Sequence, residues 1–304
     1  MNFVNRSLIS ITDFSKDEWL RVLEIAEDFE KSPSQDLLSG KIVGTLFFEP
    51  STRTRLSFES AVLRLNGRIT GFSDSSTSSV RKGESLHDTI NTVEKYCDLI
   101  VMRHPLDGSA RYASEISSVP IINAGDGSNQ HPTQTLLDLY SIKKTQGTLE
   151  NLKVVLVGDL KYGRTVHSLV QALSEFNCTF FFVSPKELQM PRSILHDLDK
   201  RGMIYEEKED LQEVIPDADV LYMTRIQKER FSDPMEYENV KDAYILKREM
   251  ITQTKSNLKI MHPLPRVNEI EQSVDELDSA YYFEQAQNGV YVRQALISLI
   301  LGVK

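Results

Sequence analysis

Short apolar runs alternate with helical patterns along the whole chain, and this alternation restricts the possible folds more than any other feature. Runs that are apolar throughout are typical of strands covered on both faces, as in a parallel sheet with helices on either side. The strand-like runs are residues 42–48, 69–72, 99–102, 119–123, 154–157, 179–183, 203–205, 220–223 and 258–261. The pattern predicts an α/β protein with two doubly wound parallel-sheet domains joined by helices.

The seam between the domains is predicted near Gly147. At 304 residues the chain is long enough for two domains of ordinary size. Residues 132–146 begin with proline, carry an apolar stripe and are followed by glycine, which together predict a helix that links the domains. We therefore expect a first domain over residues 1–147 and a second over 148–283, with a last apolar helix (284–304) packing back on the first.

Charge and cysteine content argue against several classes of function. The net charge is −9 and no block of lysine and arginine balances it, so a nucleic-acid partner is disfavoured. Cys97 and Cys178 each begin an apolar run, which predicts buried thiols rather than a disulfide framework or a metal site. The sequence shows no basic segment followed by an apolar leader and no run that could span a bilayer. A soluble cytoplasmic protein without a membrane partner is expected.

The segment from Phe48 to Arg55 is the first candidate site. It follows an apolar strand and opens a helix, which Ser51 and Thr52 are expected to cap through their hydroxyls. Arg53 and Arg55 then fall in the first helical turn, where the helix dipole disfavours cations. A bound anion would turn that repulsion into complementarity. The alternative is a surface helix whose arginines pair with nearby carboxylates.

Other predicted strands of the first half also end in polar or cationic residues. Arg103 lies at the carboxyl end of a predicted central strand, the edge where open α/β sheets bind ligands. The glycine-rich loop over residues 123–134 brings His131 and Gln134 to a helix start. A further loop carries Ser78 and Lys82, although such loop lysines are commonly just solvated. Several strand ends that each supply a donor favour a ligand site.

The second half repeats this arrangement. Residues 158–165 have the spacing of a phosphate loop, but Arg164 replaces its lysine and bulky residues fill the insert, so nucleotide binding is disfavoured. Arg164 and Arg225 each follow a predicted strand and could hold carboxylates, with Gln227 on the same side as Arg225. Prolines in the segment from His262 to Arg266 leave backbone carbonyls available to an amine. Whether Pro263 or Pro265 is cis stays open.

Five of these segments together closely resemble the catalytic chains of the aspartate carbamoyltransferase family, over essentially the whole length. That family joins carbamoyl phosphate and L-aspartate in pyrimidine synthesis, without a metal or cofactor in the reaction. The segments that carry the resemblance are Ser51-Thr52-Arg53-Thr54-Arg55, Arg103-His104-Pro105, residues 127–134, residues 159–167 and His262-Pro263-Leu264-Pro265-Arg266.

The resemblance implies a role for each matching residue. The phosphate would be cradled by Ser51, Thr52, Arg53, Thr54 and Arg103. The carbamoyl oxygen would be polarised by Thr54, Arg103 and His131, and the carbamoyl nitrogen contacted by Gln134. The aspartate carboxylates would be bound by Arg164, Arg225 and Gln227, and the carbonyls of Pro263 and Leu264 would meet the amine and the carbamoyl group. Arg55, one residue beyond the cradle, would be structural or an interface residue.

The resemblance also implies partners. In this family Ser78 and Lys82 reach into the active site of a neighbouring chain, where Lys82 serves both substrates, so a homotrimer is expected. The family often adds zinc-bearing regulatory chains, and no cysteine cluster here speaks for or against one.

Two alternatives accompany the assignment. The ornithine carbamoyltransferases share the carbamoyl phosphate half but use a His-Cys-Leu-Pro segment, whereas this chain has His262-Pro263-Leu264-Pro265. Arginines at 164 and 225 also require an anionic second substrate. A non-catalytic homologue of the fold should have lost catalytic-loop residues, and all of those named are present.

Overall fold

The computed structural model describes residues 2–74, 78–226, 231 and 233–304, except for the side chains at 234 and 236. The chain divides into two compact units. Unit 1 combines Met1–Tyr140 with Ala286–Lys304, and unit 2 is Ser141–Gln285. The chain therefore enters and leaves unit 2 within two long helices, Pro132–Gln146 and Tyr282–Ile300.

Helices and strands alternate through both units. The strands are β1 (Ile42–Phe47), β2 (Arg68–Phe72), β3 (Leu99–His104), β4 (Ile121–Asp126), β5 (Lys153–Val157), β6 (Thr179–Val183), β7 (Tyr205–Lys208), β8 (Val220–Met223) and β9 (Lys259–Met261). The α-helices are α1 (Lys16–Lys31), α2 (Thr52–Arg64), α3 (Leu86–Val93), α4 (Ser109–Ile116), α5 (Pro132–Gln146), α6 (Arg164–Leu173), α7 (Arg192–Lys200), α8 (Pro234–Val240) and α9 (Tyr282–Ile300).

The sheet of unit 1 has the strand order β2-β1-β3-β4, and all its pairings are parallel. Residues of its central strands such as Val43, Phe47 and Ile100 are fully buried, as expected for strands covered on both faces. The chain reverses its direction of winding between β1 and β3, so this pair forms the switch point where a doubly wound sheet binds its ligand.

The sheet of unit 2 has the order β7-β6-β5-β8-β9 and is also parallel. Its switch point lies between β5 and β8. A separate apolar cluster that includes Val155, Leu221, Ile260 and Tyr282 forms the core on this sheet. Burying each such side chain contributes about 1.5–3 kcal/mol to stability, so this cluster gives unit 2 a core of its own.

The predicted fold class is confirmed, with small shifts at element ends. The strand expected at 203–205 is instead β7, Tyr205–Lys208, because the backbone N–H of Met203 still bonds back to the Leu198 carbonyl of α7 at 3.0 Å. The helix over 132–146 has the predicted bounds, and Gly147 ends it with a positive φ of 74°. Cys178 is buried as expected, whereas Cys97 is only half-buried because it lies in the connection before β3 rather than in the strand.

The predicted cap of α2 is wrong for Ser51. Ser51 is the N-cap residue, with extended φ and ψ of −154° and 95°, but its side chain makes no capping hydrogen bond. By contrast, Ser15 and Ser85 do cap their helices through the hydroxyl. The start of α2 therefore lacks the side-chain acceptor that usually satisfies its first-turn N–H groups.

Candidate active site

The candidate residues of unit 1 lie at or beyond the carboxyl ends of the two strands that flank its switch point. Arg53 and Thr54 lie in the first turn of α2, the helix that follows β1. Arg103 lies near the end of β3, where it is in register with Phe47 of β1. The parallel register brings the ends of β1 and β3 to the same edge of the sheet, which is where such sheets bind ligands.

These side chains differ in how far they are exposed. Thr52 and Arg53 are exposed and Ser51 is half-buried, whereas Thr54 is buried. The Arg103 side chain is only 14% exposed, with its Nε 3.5 Å from an oxygen of Glu49 and an Nη 3.5 Å from the carbonyl oxygen of Ala124. Both contacts are at the outer limit of hydrogen bonding and orient the guanidinium. Arg55 pairs with Glu59 at 3.7 Å, which agrees with the structural role expected for it.

A buried carboxylate shapes the loop after β4. Asp126 accepts hydrogen bonds from the side chains of Asn123 (2.8 Å) and Asn129 (3.1 Å) and from the backbone N–H of Gly108 (2.9 Å). Gly127 has a positive φ of 49°, and a Cβ there would lie 1.8 Å from a carboxylate oxygen of Asp107. The loop is therefore fixed by acids that the sequence analysis did not single out.

This loop leads into α5, where His131 and Gln134 stand as predicted at the helix start. Both side chains are buried, at 5% and 8% exposure. The Nε2 of Gln134 donates to a carboxylate oxygen of Asp138 at 2.9 Å, one turn further along the helix. Because a carboxylate only accepts hydrogen bonds, this contact fixes which end of the Gln134 amide faces away.

Ser78 and Lys82 lie on or beside a short 3₁₀-helix, Ser79–Lys82. The Ser78 hydroxyl accepts the backbone N–H of Val80 at 3.3 Å, and the Lys82 side chain is exposed. Within the described part of this chain, no recorded hydrogen bond or ion pair joins Lys82 to the candidate residues after β1, β3 or β4.

In unit 2, two strand ends are tied together at the switch point between β5 and β8. The Thr224 hydroxyl donates to the Val157 carbonyl at 2.9 Å and accepts the Asp159 N–H at 3.1 Å. Gly158 has a φ of 112°, and a Cβ there would lie 2.5 Å from the Thr224 carbonyl oxygen. The close approach explains the glycine and shows that Thr224 organises this edge, which its sequence position alone did not reveal.

Arg164 is the first residue of α6 and is buried, at 9% exposure. Arg225 follows Thr224 and is half-buried. The structure thus places both arginines beyond the carboxyl ends of the strands that flank the switch point of unit 2: Arg225 lies just after β8, and Arg164 begins the helix that follows β5. Gln227, the third residue predicted to bind carboxylates, lies outside the described residues.

The segment after β9 is held by a buried dyad. His262 Nδ1 accepts the backbone N–H of Leu264 at 2.7 Å, so its Nε2 carries the proton and donates to Glu269, also at 2.7 Å. Leu264 has a positive φ of 51°, and the bond between Leu264 and Pro265 is the cis one. His262 and Glu269 therefore fix the backbone that carries the predicted Pro263 and Leu264 carbonyls.

Hydrogen bonds set the charge state of Glu269. Burial pushes the pKa of this carboxyl upward, but hydrogen bonds from His262 and from the Val267 N–H outweigh burial and hold the pKa below its ordinary value. A carboxyl with a lowered folded-state pKa contributes stability above its unfolded pKa and loses it as the pH falls through the folded pKa. Glu269 is consequently a carboxylate at neutral pH.

We expect Glu269→Gln to lower the free energy of unfolding at neutral pH by about 1–3 kcal/mol, because the buried histidine loses a charged acceptor. The difference in the free energy of unfolding between the variant and wild type should become smaller as the pH falls below 4.5, the ordinary pKa of a glutamate carboxyl. Urea titrations at successive pH values measure it. Glu271→Gln, a half-exposed site two residues away, is the control and should change little. A difference that stays constant with pH would contradict the account.

Two kinds of site are absent from the described residues. The described part of the chain holds no group of three or more histidine, cysteine, aspartate or glutamate side chains placed to bind a metal ion. None of the helices formed by described residues has the length and apolar composition that crossing a membrane requires.

The sequence matches two family models that together span most of the chain. Residues 6–144 match the carbamoyl-P binding domain of aspartate/ornithine carbamoyltransferase, and residues 150–300 match the Asp/Orn binding domain. The aspartate carbamoyltransferase catalytic subunit of Bacteroides fragilis is 60% identical over 300 residues, which cover 98% of this chain and 97% of that one.

Solved structures agree with the sequence relatives. The catalytic subunit of M. jannaschii aspartate transcarbamoylase is 54% identical, with a TM-score of 0.90 over 97% of each chain. The Trypanosoma cruzi aspartate transcarbamoylase in complex with carbamoyl phosphate and aspartate is 37% identical, with a TM-score of 0.94 over 98% of each chain. The chain therefore belongs to the aspartate/ornithine carbamoyltransferase family.

Proposed function

We propose that the chain transfers the carbamoyl group of carbamoyl phosphate to the amine of L-aspartate, giving N-carbamoyl-L-aspartate and phosphate in pyrimidine biosynthesis. The observation that carries this proposal is the placement of arginines at or beyond the carboxyl ends of both strands of each switch point: Arg53 and Arg103 in unit 1, Arg164 and Arg225 in unit 2. Each pair suits one anionic substrate, and the related Trypanosoma cruzi enzyme has been solved in complex with carbamoyl phosphate and aspartate.

Unit 1 is the proposed carbamoyl phosphate-binding domain. The N-terminus of α2 favours an anion through its backbone N–H groups and dipole, and Ser51 does not cap it. Ser51, Thr52 and Thr54 supply hydroxyl donors around the phosphate, while Arg53 and Arg103 supply charge. Arg53 is exposed and Arg103 is largely buried. A phosphate dianion would therefore be contacted by Arg53 on its solvent-facing side and by Arg103 on the side of the sheet edge.

The carbamoyl group needs an acceptor as well as donors. Thr54, Arg103 and His131 are the proposed donors to its oxygen. Because the Nε2 of Gln134 donates its hydrogen bond to Asp138, the Oε1 of that amide is the atom that can accept a hydrogen bond from the carbamoyl nitrogen. By orienting Gln134 in this way, buried Asp138 makes the site favour a ligand group that carries N–H donors, such as the carbamoyl amide, over one that has none.

Unit 2 is the proposed aspartate-binding domain. Arg164 and Arg225 would each hold a carboxylate with paired N–H donors, and Gln227 would add a further donor. The carbonyls of Pro263 and Leu264 would accept from the amine and the carbamoyl group, in the backbone conformation that His262 and Glu269 maintain. The cationic side chain of ornithine has no equivalent partner among these arginines.

The reaction follows from these contacts. The uncharged amine attacks the carbamoyl carbon, so a C–N bond forms and negative charge develops on the carbamoyl oxygen. The bond from carbon to the phosphate oxygen then breaks, and phosphate leaves with the electron pair. Preorganised donors such as Arg103 and His131 stabilise both charges without a covalent intermediate. The departing phosphate accepts the proton that the amine loses.

The proposed activity is tested by incubating the purified chain with carbamoyl phosphate and one acceptor at a time. Phosphate release should depend on aspartate, and carbamoyl-aspartate should form in equal amount. Ornithine should give no release above the spontaneous rate, because Arg164 and Arg225 select an anion. Release with ornithine alone, or release that no acceptor accelerates, would overturn the assignment.

We further propose a homotrimer in which Ser78 and Lys82 complete the site of a neighbouring chain. What supports this is the family pattern, together with an exposed Lys82 that joins none of the candidate residues after β1, β3 or β4 in the described part of its own chain. Mixing an Arg53→Gln chain with a Lys82→Ala chain tests it. Hybrids should regain activity, since some sites then contain neither substitution. Assembled hybrids without any recovery would show that each chain works alone.

A further inference from the structure

A buried arginine of unit 1 plays no part in the contacts proposed so far. Arg293 lies on α9 and is 3% exposed. One of its Nη atoms donates to the Ser57 hydroxyl at 2.8 Å and the other to the Thr133 hydroxyl at 3.4 Å. Its guanidinium also lies over the ring of Phe58, 4.9 Å from the ring centre. These contacts place one guanidinium against both α2 and α5.

Burying this cation is costly, and the local sequence accommodates it. Gly289, one turn earlier on α9, makes room, because a Cβ there would lie 2.3 Å from an Nη of Arg293. Burial lowers the pKa of Arg293 to about 10, against the opposing attraction of Asp138, so the group remains charged at neutral pH. Among the described contacts its Nε has no hydrogen-bond partner. A cation maintained under these conditions indicates a role beyond packing.

The two helices that Arg293 touches are the ones that begin at the carbamoyl phosphate site. Ser57 lies one turn after Arg53 on α2. Thr133 lies in the first turn of α5, between His131 and Gln134. Asp138, the carboxylate that attracts Arg293, is also the acceptor that orients the Gln134 amide. Arg293 thus contacts α2, the helix at the proposed phosphate site, directly. Through Thr133 and Asp138 it is also linked to His131 and Gln134, the residues proposed to contact the carbamoyl group.

We propose that Arg293 is a positioning residue that sets the starts of α2 and α5 at the spacing carbamoyl phosphate requires, and that its buried charge adds to the attraction for the phosphate dianion. This proposal rests on the function proposed above. The helix N-termini and Arg293 are all positive and repel one another in the free protein. A bound dianion relieves that repulsion, so removing Arg293 affects the ligand-bound state more than the free state.

The test compares three variants by their affinity for inorganic phosphate, measured by calorimetry, and by the KM of each substrate. Arg293→Met keeps the length of the side chain without its charge. It should raise the phosphate Kd and the carbamoyl phosphate KM about tenfold or more, with the aspartate KM changed less than about twofold. Arg293→Lys keeps the charge but cannot donate to Ser57 and Thr133 at the same time. Its phosphate Kd and carbamoyl phosphate KM should lie between those of wild type and Arg293→Met.

Gln294→Leu is the matched control. Gln294 is the next residue on α9, is fully buried and donates to the Pro33 carbonyl at 2.7 Å, in the segment that follows α1. The Gln294→Leu variant should have a lower thermal unfolding midpoint than wild type and an unchanged phosphate Kd. Unchanged phosphate affinity in Arg293→Met, or an equal loss of affinity in Gln294→Leu, would overturn the positioning role.

Two further measurements separate the possible failures. If Arg293→Met does not fold, Ser57→Ala removes one of its contacts and leaves the charge in place. It should raise the phosphate Kd about threefold, and no change would count against the proposal. If the wild-type chain neither binds phosphate nor transfers the carbamoyl group, the proposed function itself fails. Normal wild-type activity with unaffected variants rejects only the role of Arg293.

Discussion

Replacing Arg53 with glutamine should lower kcat/KM for carbamoyl phosphate by about 10²- to 10³-fold, the usual effect of removing one preorganised donor to developing charge. Arg53 stands in the first turn of α2 with its side chain exposed, so the substitution should leave the free energy of unfolding within about 0.5 kcal/mol of wild type. The loss of activity would therefore report on the ligand rather than on folding. Steady-state kinetics at saturating aspartate measure it.

Arg55→Gln is the matched control for this prediction. Arg55 lies two residues further along the same helix and pairs with Glu59 at 3.7 Å. Partly exposed ion pairs between adjacent helical turns contribute about 0–1 kcal/mol, so the variant should retain activity to within about threefold. Equal losses in the two variants would show that the helix needs both charges and that Arg53 is no special phosphate ligand.

Replacing Arg164 with glutamine should raise the KM for aspartate by about 10²-fold or more. Each hydrogen bond to a charged group contributes about 1.5–3 kcal/mol, and a guanidinium supplies two to one carboxylate. Arg164 is buried at the start of α6, so its donors have a fixed direction. The KM for carbamoyl phosphate should change less than about threefold, since that substrate is assigned to unit 1.

An exposed arginine of the same unit provides the comparison. Arg192 begins α7, and its side chain is 84% exposed beside Glu207. Arg192→Gln should leave both KM values near those of wild type. If Arg164→Gln instead weakened carbamoyl phosphate binding as much as aspartate binding, the division of substrates between the two units would be wrong.

The fold was predictable because its signals are local. Apolar runs mark strands, and proline and glycine mark the ends of α5, so the positions of the strands and the bounds of α5 followed from sequence. Strand order was not predictable, because the pairing of β1 with β3 joins residues more than fifty positions apart, such as Val43 and Leu99. Nevertheless, the carboxyl-end rule located the candidate residues before the order was known.

The residues that organise the site were missed because their partners are distant in sequence. Thr224 contacts Val157 and Asp159, and Arg293 contacts Ser57 across 236 positions. Glu269 gave no signal either, since one acid near a proline-rich segment is unremarkable until its contact with His262 is seen. The wrong cap at Ser51 has another cause. A serine before a helix predicts a cap by propensity, and propensity does not decide whether the hydroxyl reaches the N–H groups of the first turn.

The central claim is that this chain delivers the carbamoyl group to the amine of aspartate, and one competition experiment tests it directly. Carbamoyl phosphate labelled with ¹³C is supplied with aspartate and ornithine in equal amounts, and the products are separated and quantified by mass spectrometry. The arginines of unit 2 predict labelled carbamoyl-aspartate with no enzyme-dependent labelled carbamoyl-ornithine. Labelled carbamoyl-ornithine as the main product, or no labelled carbamoyl-aspartate above the enzyme-free control, would contradict the claim.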